Sequence, residues 1–241
     1  MEENKIISEE RMQKIFDDYY ELIKSDNNAR YKSWEHCYNV FSKNQNKKDD
    51  ETVDLLCLNL AFYLASWGMY RSSFLLQKDY KIHKKAVLEM QKEEYNILRT
   101  FDINIFETNE FITALLKLQI NLNPIYEEIK KTVKSNKKEE ITDTLFTKIL
   151  LGVFGCIPAY DRFLKRVLKD YGIGRSTFDN PMQIKDFITF YRVHKNIFET
   201  AQKKISSIGV EYPPMRLVDL LFWRVGLEDE GKDKPEDSLD I

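Results

Sequence analysis

Turn-forming residues are scarce in this chain: 8 glycines and 6 prolines in 241 residues. All-β architectures need more of both at their turns, so they are excluded. Cysteine is also sparse: Cys37, Cys57 and Cys156 are an odd number at unrelated spacings, each beside apolar neighbours. They predict packed, reduced thiols and a cytosolic setting rather than a disulfide framework. The three histidines, His36, His83 and His194, share no ligand spacing, and neither His-Glu-x-x-His nor paired Cys-x-x-Cys occurs. No metal or other cofactor is therefore expected. Gly-x-Gly-x-x-Gly, a Gly-Lys-Ser/Thr phosphate loop and a Gly-x-Ser-x-Gly elbow are missing as well. No window approaches the roughly 18 apolar residues needed to cross a bilayer. The start, "MEENKIISEERMQKIF", is acidic and lacks the apolar centre of a signal peptide. Membrane insertion and secretion are not expected.

What is abundant is material for helices. Hydrophobic residues make up 43% and aromatics 13%, enough to fill a core, and Leu, Ile, Lys and Glu enter helices at little entropic cost. The pattern predicts one compact all-α domain of about eight to ten helices over residues 1–227. An acidic, disordered tail is expected over 228–241. That tail carries net −5 against −2 for the whole chain, which leaves the body at +3. The balance permits nucleic-acid binding without requiring it.

Apolar spacing places a first helix from Ser8, with Glu9 and Glu10 at its positive end and Met12, Ile15, Phe16, Tyr19 and Ile23 inward. A second spans Ala29–Ser42. Thr52–Gln77 is apolar nearly all round and reads as a central helix, with a break or close crossing at Gly68. Further helices fall at Tyr80–Leu98, Ile105–Val133, Ile141–Phe154, Ala159–Asp170, Met182–Tyr191, Lys195–Ser206 and Pro214–Val225. Polar runs at 42–51 and 134–140 separate some of them, and Pro158 is expected near a helix start.

Few local patterns carry chemistry. Asp79 and His83 stand four apart, so a helix would let the carboxylate orient the imidazole, as a base pair or as a structural hydrogen bond. His36 and Cys37 are adjacent and point about 100° apart on a helix, which prevents a nucleophile–base contact. "GIGR", Gly172 to Arg175, is either a phosphate-facing turn or a helix-ending one. In "ASWGMYRSSFLLQKDY", Trp67, Tyr70, Arg71 and Gln77 suit a pocket with apolar walls and a few polar groups. Alternatively Arg71 pairs with Asp161 or Asp219. Arg216 and Asp219, three apart in the last helix, suit a mutual pair or a reach to the central helix.

The stretch "TLFTKILLGVFGCIPAYDRFLKRVL", Thr144 to Leu168, sets Lys148 one helix upstream of a Pro-x-x-Asp helix start at Asp161. Over these roughly 25 residues the chain resembles the helix-hairpin-helix DNA glycosylases, whose last motif carries an aspartate shortly after a proline and in some members a lysine. The resemblance implies DNA as partner and base excision as activity. Asp161 would stabilise positive charge on the sugar or activate a nucleophile, and Lys148 would lie near the lysine position. Trp67, Tyr70 and Trp223 would wall a flipped base. The family's Gly-x-Gly turn is absent upstream of Lys148, where "NKKEEITDTLFTK" stands. The chain as a whole resembles an all-helical family of bacteria and their mobile elements, from which no activity carries over. The competing expectation is a non-enzymatic helical module that meets a protein partner. In it Lys148 is a snorkelling surface residue, and Asp161 is a capping carboxylate or a partner of Arg162, Arg71 or Arg216.

Overall fold

The computed structural model describes residues 5–71, 73–133, 142–178 and 181–232. Among these the chain forms ten α-helices and five short 3₁₀ turns, with no strand. They share one hydrophobic core, and no helix is long and apolar enough to cross a membrane.

Helix α1, Glu9–Ser25, begins as its sequence dictates. Ser8 Oγ accepts from the Arg11 amide at 3.2 Å, and Met12, Ile15, Phe16, Tyr19 and Ile23 are buried. Helices α2, Lys32–Lys43, and α3, Asp50–Ser66, follow as a pair in contact. Then α3 stops short of the expected Gln77. Gly68 adopts φ +76°, a left-handed conformation open to glycine at no steric cost, and it turns the chain out of the helix. Nor is α3 central. Its Leu55, Leu58 and Phe62 are 45%, 49% and 61% exposed, because the apolar circumference seen in the sequence includes a face that no helix among the described residues covers.

The predicted helix Tyr80–Leu98 is three pieces. A 3₁₀ turn at Tyr80–His83 leads into α4, Lys84–Met90, and a second turn covers Glu93–Arg99. The break follows from Gln91, a buried side chain that donates to the carbonyls of Asn44 and Lys47 in the α2–α3 loop. Helix α5, Asn109–Lys131, carries Pro124 within it.

The centre belongs to α6, Asp143–Phe154, and α10, Pro214–Lys232. Leu145–Phe154 is buried without interruption, and so is 212–223. The charged Lys148, Arg216 and Asp219 are buried with them. Between α6 and α7, Arg162–Asp170, the chain is not helical, and its residues 155–160 are all buried. Pro158 thus lies inside an irregular connector, and α7 begins only after Asp161. Helices α8, Ile184–Val193, and α9, Lys195–Ser206, complete the bundle.

Helix α10 also runs past the boundary expected at Leu227. Arg11 of α1 reaches Glu228 and Asp229, each at 2.9 Å, and Tyr171 donates to Asp229 at 2.8 Å. Arg162 meets Glu230 at 3.3 Å. These partners offset the repulsion among the acids, so the first residues of the supposed tail are helical. Residues 233–241 of that tail, and the polar run at 134–140, lie outside the described residues.

The expected helix Pro214–Val225 stops just before Gly226. That glycine does not end α10; it lets α10 approach α7, since a Cβ there would stand 2.6 Å from the Phe163 carbonyl oxygen. Backbone cannot yield as a flexible side chain does. Gly226→Ala should therefore destabilise the fold by about 1–3 kcal/mol despite alanine's better helix propensity. Urea midpoints of the two proteins check this, and an unchanged or raised midpoint would contradict the close crossing.

Candidate functional site

The buried connector sets the problem that the surrounding polar side chains solve. A non-helical segment in a core leaves backbone groups that need partners. Asp219 Oδ1 accepts from the Ala159 amide at 2.9 Å, Thr147 Oγ1 accepts from the Tyr160 amide at 2.8 Å, and Thr144 donates to the Tyr160 carbonyl at 2.7 Å. At the end of α6, Trp34 Nε1 donates to Leu151 O at 2.8 Å, and Arg99 donates to Val153 O at 2.6 Å. Asp161 caps α7: its Oδ1 accepts from the Phe163 and Leu164 amides at 3.0 and 3.1 Å.

Two cations answer these carboxylates. Lys148 Nζ lies 3.0 Å from Asp161 Oδ2, and Arg216 Nη1 lies 2.6 Å from Asp219 Oδ2. Lys148 is 4% and Arg216 2% exposed, so Lys148 is no surface residue. Burial opposes the Arg216 charge, but the Asp219 carboxylate beside it outweighs this and the guanidinium stays protonated. Burial likewise pushes the Asp219 carboxyl up, against the pull of Arg216 and Lys148. A chain of hydrogen bonds extends behind the arginine: Tyr19 and Tyr212 hydroxyls lie 3.0 Å apart, and Tyr212 donates to buried Glu35 at 2.8 Å.

Aromatic rings close the cluster. Trp67 and Trp223 meet edge to face with centroids 5.5 Å apart, and Tyr31 packs on both. Lys148 Nζ stands 4.9 Å from the Trp67 ring centre, and the Arg216 guanidinium 4.8 Å from that of Trp34. All three tryptophans of the chain thus line one cleft with Lys148, Asp161, Arg216 and Asp219. The cleft encloses about 210 Å³ between atoms, but in gaps too narrow for a water molecule. A ligand can enter only if an aromatic side chain swings aside. Outside, exposed Arg30 lies over Tyr31 and Trp67, and exposed Arg162 over Phe163, which itself packs on Trp223. From Arg162 a cationic strip runs along α7 through Lys165, Arg166 and Lys169, bordering a groove with Ser176 and Thr177, and Asp170 at its end pairs with Arg166 at 3.5 Å.

Of the residues singled out from sequence, Trp67, Lys148, Asp161, Arg216 and Trp223 come together here. Tyr70, Arg71 and Gln77 do not. They follow Gly68, so the turn carries them away from the cleft: Tyr70 Oη sits 3.0 Å from His83 Nε2, and Arg71 and Gln77 are exposed. The Asp79–His83 contact is not formed either. Asp79 accepts from the Lys81 amide, while His83 lies between Tyr70 and Tyr126. "GIGR" is a helix end, with Gly172 at φ +63° and the Ile173 amide donating to Leu168 O at 3.2 Å. Trp34 and Tyr63 also line the cleft although nothing local marks them, because each belongs to an ordinary apolar helix face. Among the described residues no group of His, Cys, Asp and Glu could hold a metal ion. Neither protein-family models, nor curated proteins, nor solved structures provide a match to this chain.

Proposed function

We propose that the chain binds nucleic acid, with the backbone on the cationic strip of α7 and a base lodged among Trp67, Trp223 and the Lys148–Asp161 pair. One observation carries this reading. Asp161, in the aromatic cleft, and Arg162, which opens the strip, are neighbours in the chain, so a strand along α7 brings a base to the cleft. Aromatic walls accept any base by stacking, and lysines and arginines beside them take the phosphates. Binding is better supported than base excision. Asp161 already spends Oδ1 on two amides and Oδ2 on Lys148, which leaves it little capacity to act on a sugar. If Lys148 attacks C1′ and expels the base, the resulting imine is trapped by borohydride as a covalent adduct, and that assay separates the two versions.

Single-stranded oligonucleotides should bind with an affinity that falls linearly on a logarithmic salt scale. Replacing Lys165 and Lys169 by glutamate should weaken binding at least tenfold for every sequence and flatten the salt slope by roughly one to two. Fluorescence anisotropy measures both. Absence of binding at low salt, or binding indifferent to salt, overturns the reading. The second reading, a protein-interaction module, rests on α3: Leu55, Leu58 and Phe62 form an exposed apolar line at the three- and four-residue spacing by which helices pair. Failure to bind oligonucleotides, together with concentration-dependent self-association, would favour it.

A further inference from the structure

We infer that the cleft selects a neutral planar base with two adjacent hydrogen-bond acceptors, the guanine class, and that Arg216 and Trp67 read it. This deepens the nucleic-acid reading and rests on it. Buried donors are almost always partnered, because an unpaired one costs about 1–3 kcal/mol. Here Arg216 Nε and Nη2 and Trp67 Nε1 are all buried, all without a hydrogen-bond partner, and all belong to residues lining the same cleft. Tyr19 lies close enough to the guanidinium for a polar contact, but Arg216 Nε and Nη2 and Trp67 Nε1 have no acceptor in hydrogen-bonding geometry. The orphaned groups are donors only, so the complementary ligand is rich in acceptors.

Geometry and charge narrow it further. Nη1 is committed to Asp219, and the remaining Nε–H and Nη2–H lie side by side on one edge of the guanidinium, a fork that matches two neighbouring acceptors. A carboxylate or phosphate would suit the fork alone. But Lys148 and Arg216 are already balanced by Asp161 and Asp219, so an added anion would bring an uncompensated charge into the site. A neutral ring adds none, and Trp67 and Trp223 offer it stacking surface. Guanine presents O6 and N7 together, whereas adenine sets the N6 donor beside N7 and would oppose donor to donor. Trp67 is half-buried and directly precedes the Gly68 turn, which makes it the ring placed to swing aside on entry.

The test uses the full chain and twelve-residue oligothymidylates with one central guanine, adenine or cytosine, plus guanosine monophosphate alone, read by anisotropy and tryptophan quenching. The guanine oligonucleotide should bind about tenfold tighter than the adenine one. Arg216→Lys keeps the charge but not the fork, and should abolish that preference while leaving salt-dependent binding. Trp67→Phe keeps the ring, loses the third donor and should reduce the preference. Should Arg216→Lys fail to fold, the wild-type comparison decides by itself. Salt-dependent binding that is equal for all oligonucleotides overturns the inference and spares the nucleic-acid reading. Quenching by guanosine monophosphate without oligonucleotide binding supports the base class and overturns the nucleic-acid reading. No binding of either probe overturns both.

Discussion

Asp219→Leu should lower the stability of the fold by about 3–5 kcal/mol, among the largest effects available to a single substitution here. The carboxylate does two jobs at full burial: Oδ1 takes the Ala159 amide of the connector and Oδ2 takes Arg216. Leucine strands both partners, one of them a cation that cannot reach water. The decisive comparison is the double variant Asp219→Leu with Arg216→Met. Replacing a whole buried pair by apolar groups of similar size is often neutral, so the double variant should recover most of the loss, short of the unpaired amide. Urea unfolding of the wild type, the single variants Asp219→Leu and Arg216→Met, and the double variant measures this. A single variant within about 1 kcal/mol of wild type would show that the pair is not needed by the fold.

Acid should act through His83. Its Nε2 meets Tyr70 Oη at 3.0 Å and its Nδ1 meets Tyr126 Oη at 2.8 Å, and burial lowers its pKa from 6.5 to about 4. The folded state thus holds the ring neutral while the unfolded chain protonates it. The contribution is fully present above pH 6.5 and is lost as pH falls through that value towards 4, where it amounts to about 3 kcal/mol. His83→Gln retains polar capacity without titrating, so wild type should lose more stability than this variant between pH 7 and 4.5. Parallel losses in the two proteins would show that other groups carry the acid sensitivity.

The sequence is legible where a feature is local. Ser8, the acidic first turn and the inward stripe of α1 stand next to one another in the chain, and α9 keeps its expected bounds for the same reason. Legibility fails where a neighbour distant in sequence decides. Hydropathy makes α3 look central, because the period of a helix reveals which face is apolar but not what covers it. The buried charges of α6 and α10 are answered partly within one helix, Arg216 by Asp219, and partly across elements, Lys148 by Asp161 and Asp219 by the connector. Gly226 was indistinguishable from a terminating glycine until Phe163 appeared beside it. At the site, chemistry made Lys148, Asp161 and Arg216 conspicuous in apolar surroundings. Arg71 was equally conspicuous, and only the Gly68 turn separates it from them.

The connector between α6 and α7 has a consequence for the order of folding. Its Ala159 amide is satisfied by Asp219, 60 residues away, and the end of α6 beside it by Trp34, 117 residues from Leu151. Such contacts close only after long intervening segments have been arranged, so they belong to late events. Helices α1 and α9 can gain order earlier, whereas the cleft is completed when α2, α6 and α10 meet. The chain's three tryptophans sit in that last region to assemble, and their fluorescence therefore reports the end of folding rather than its beginning.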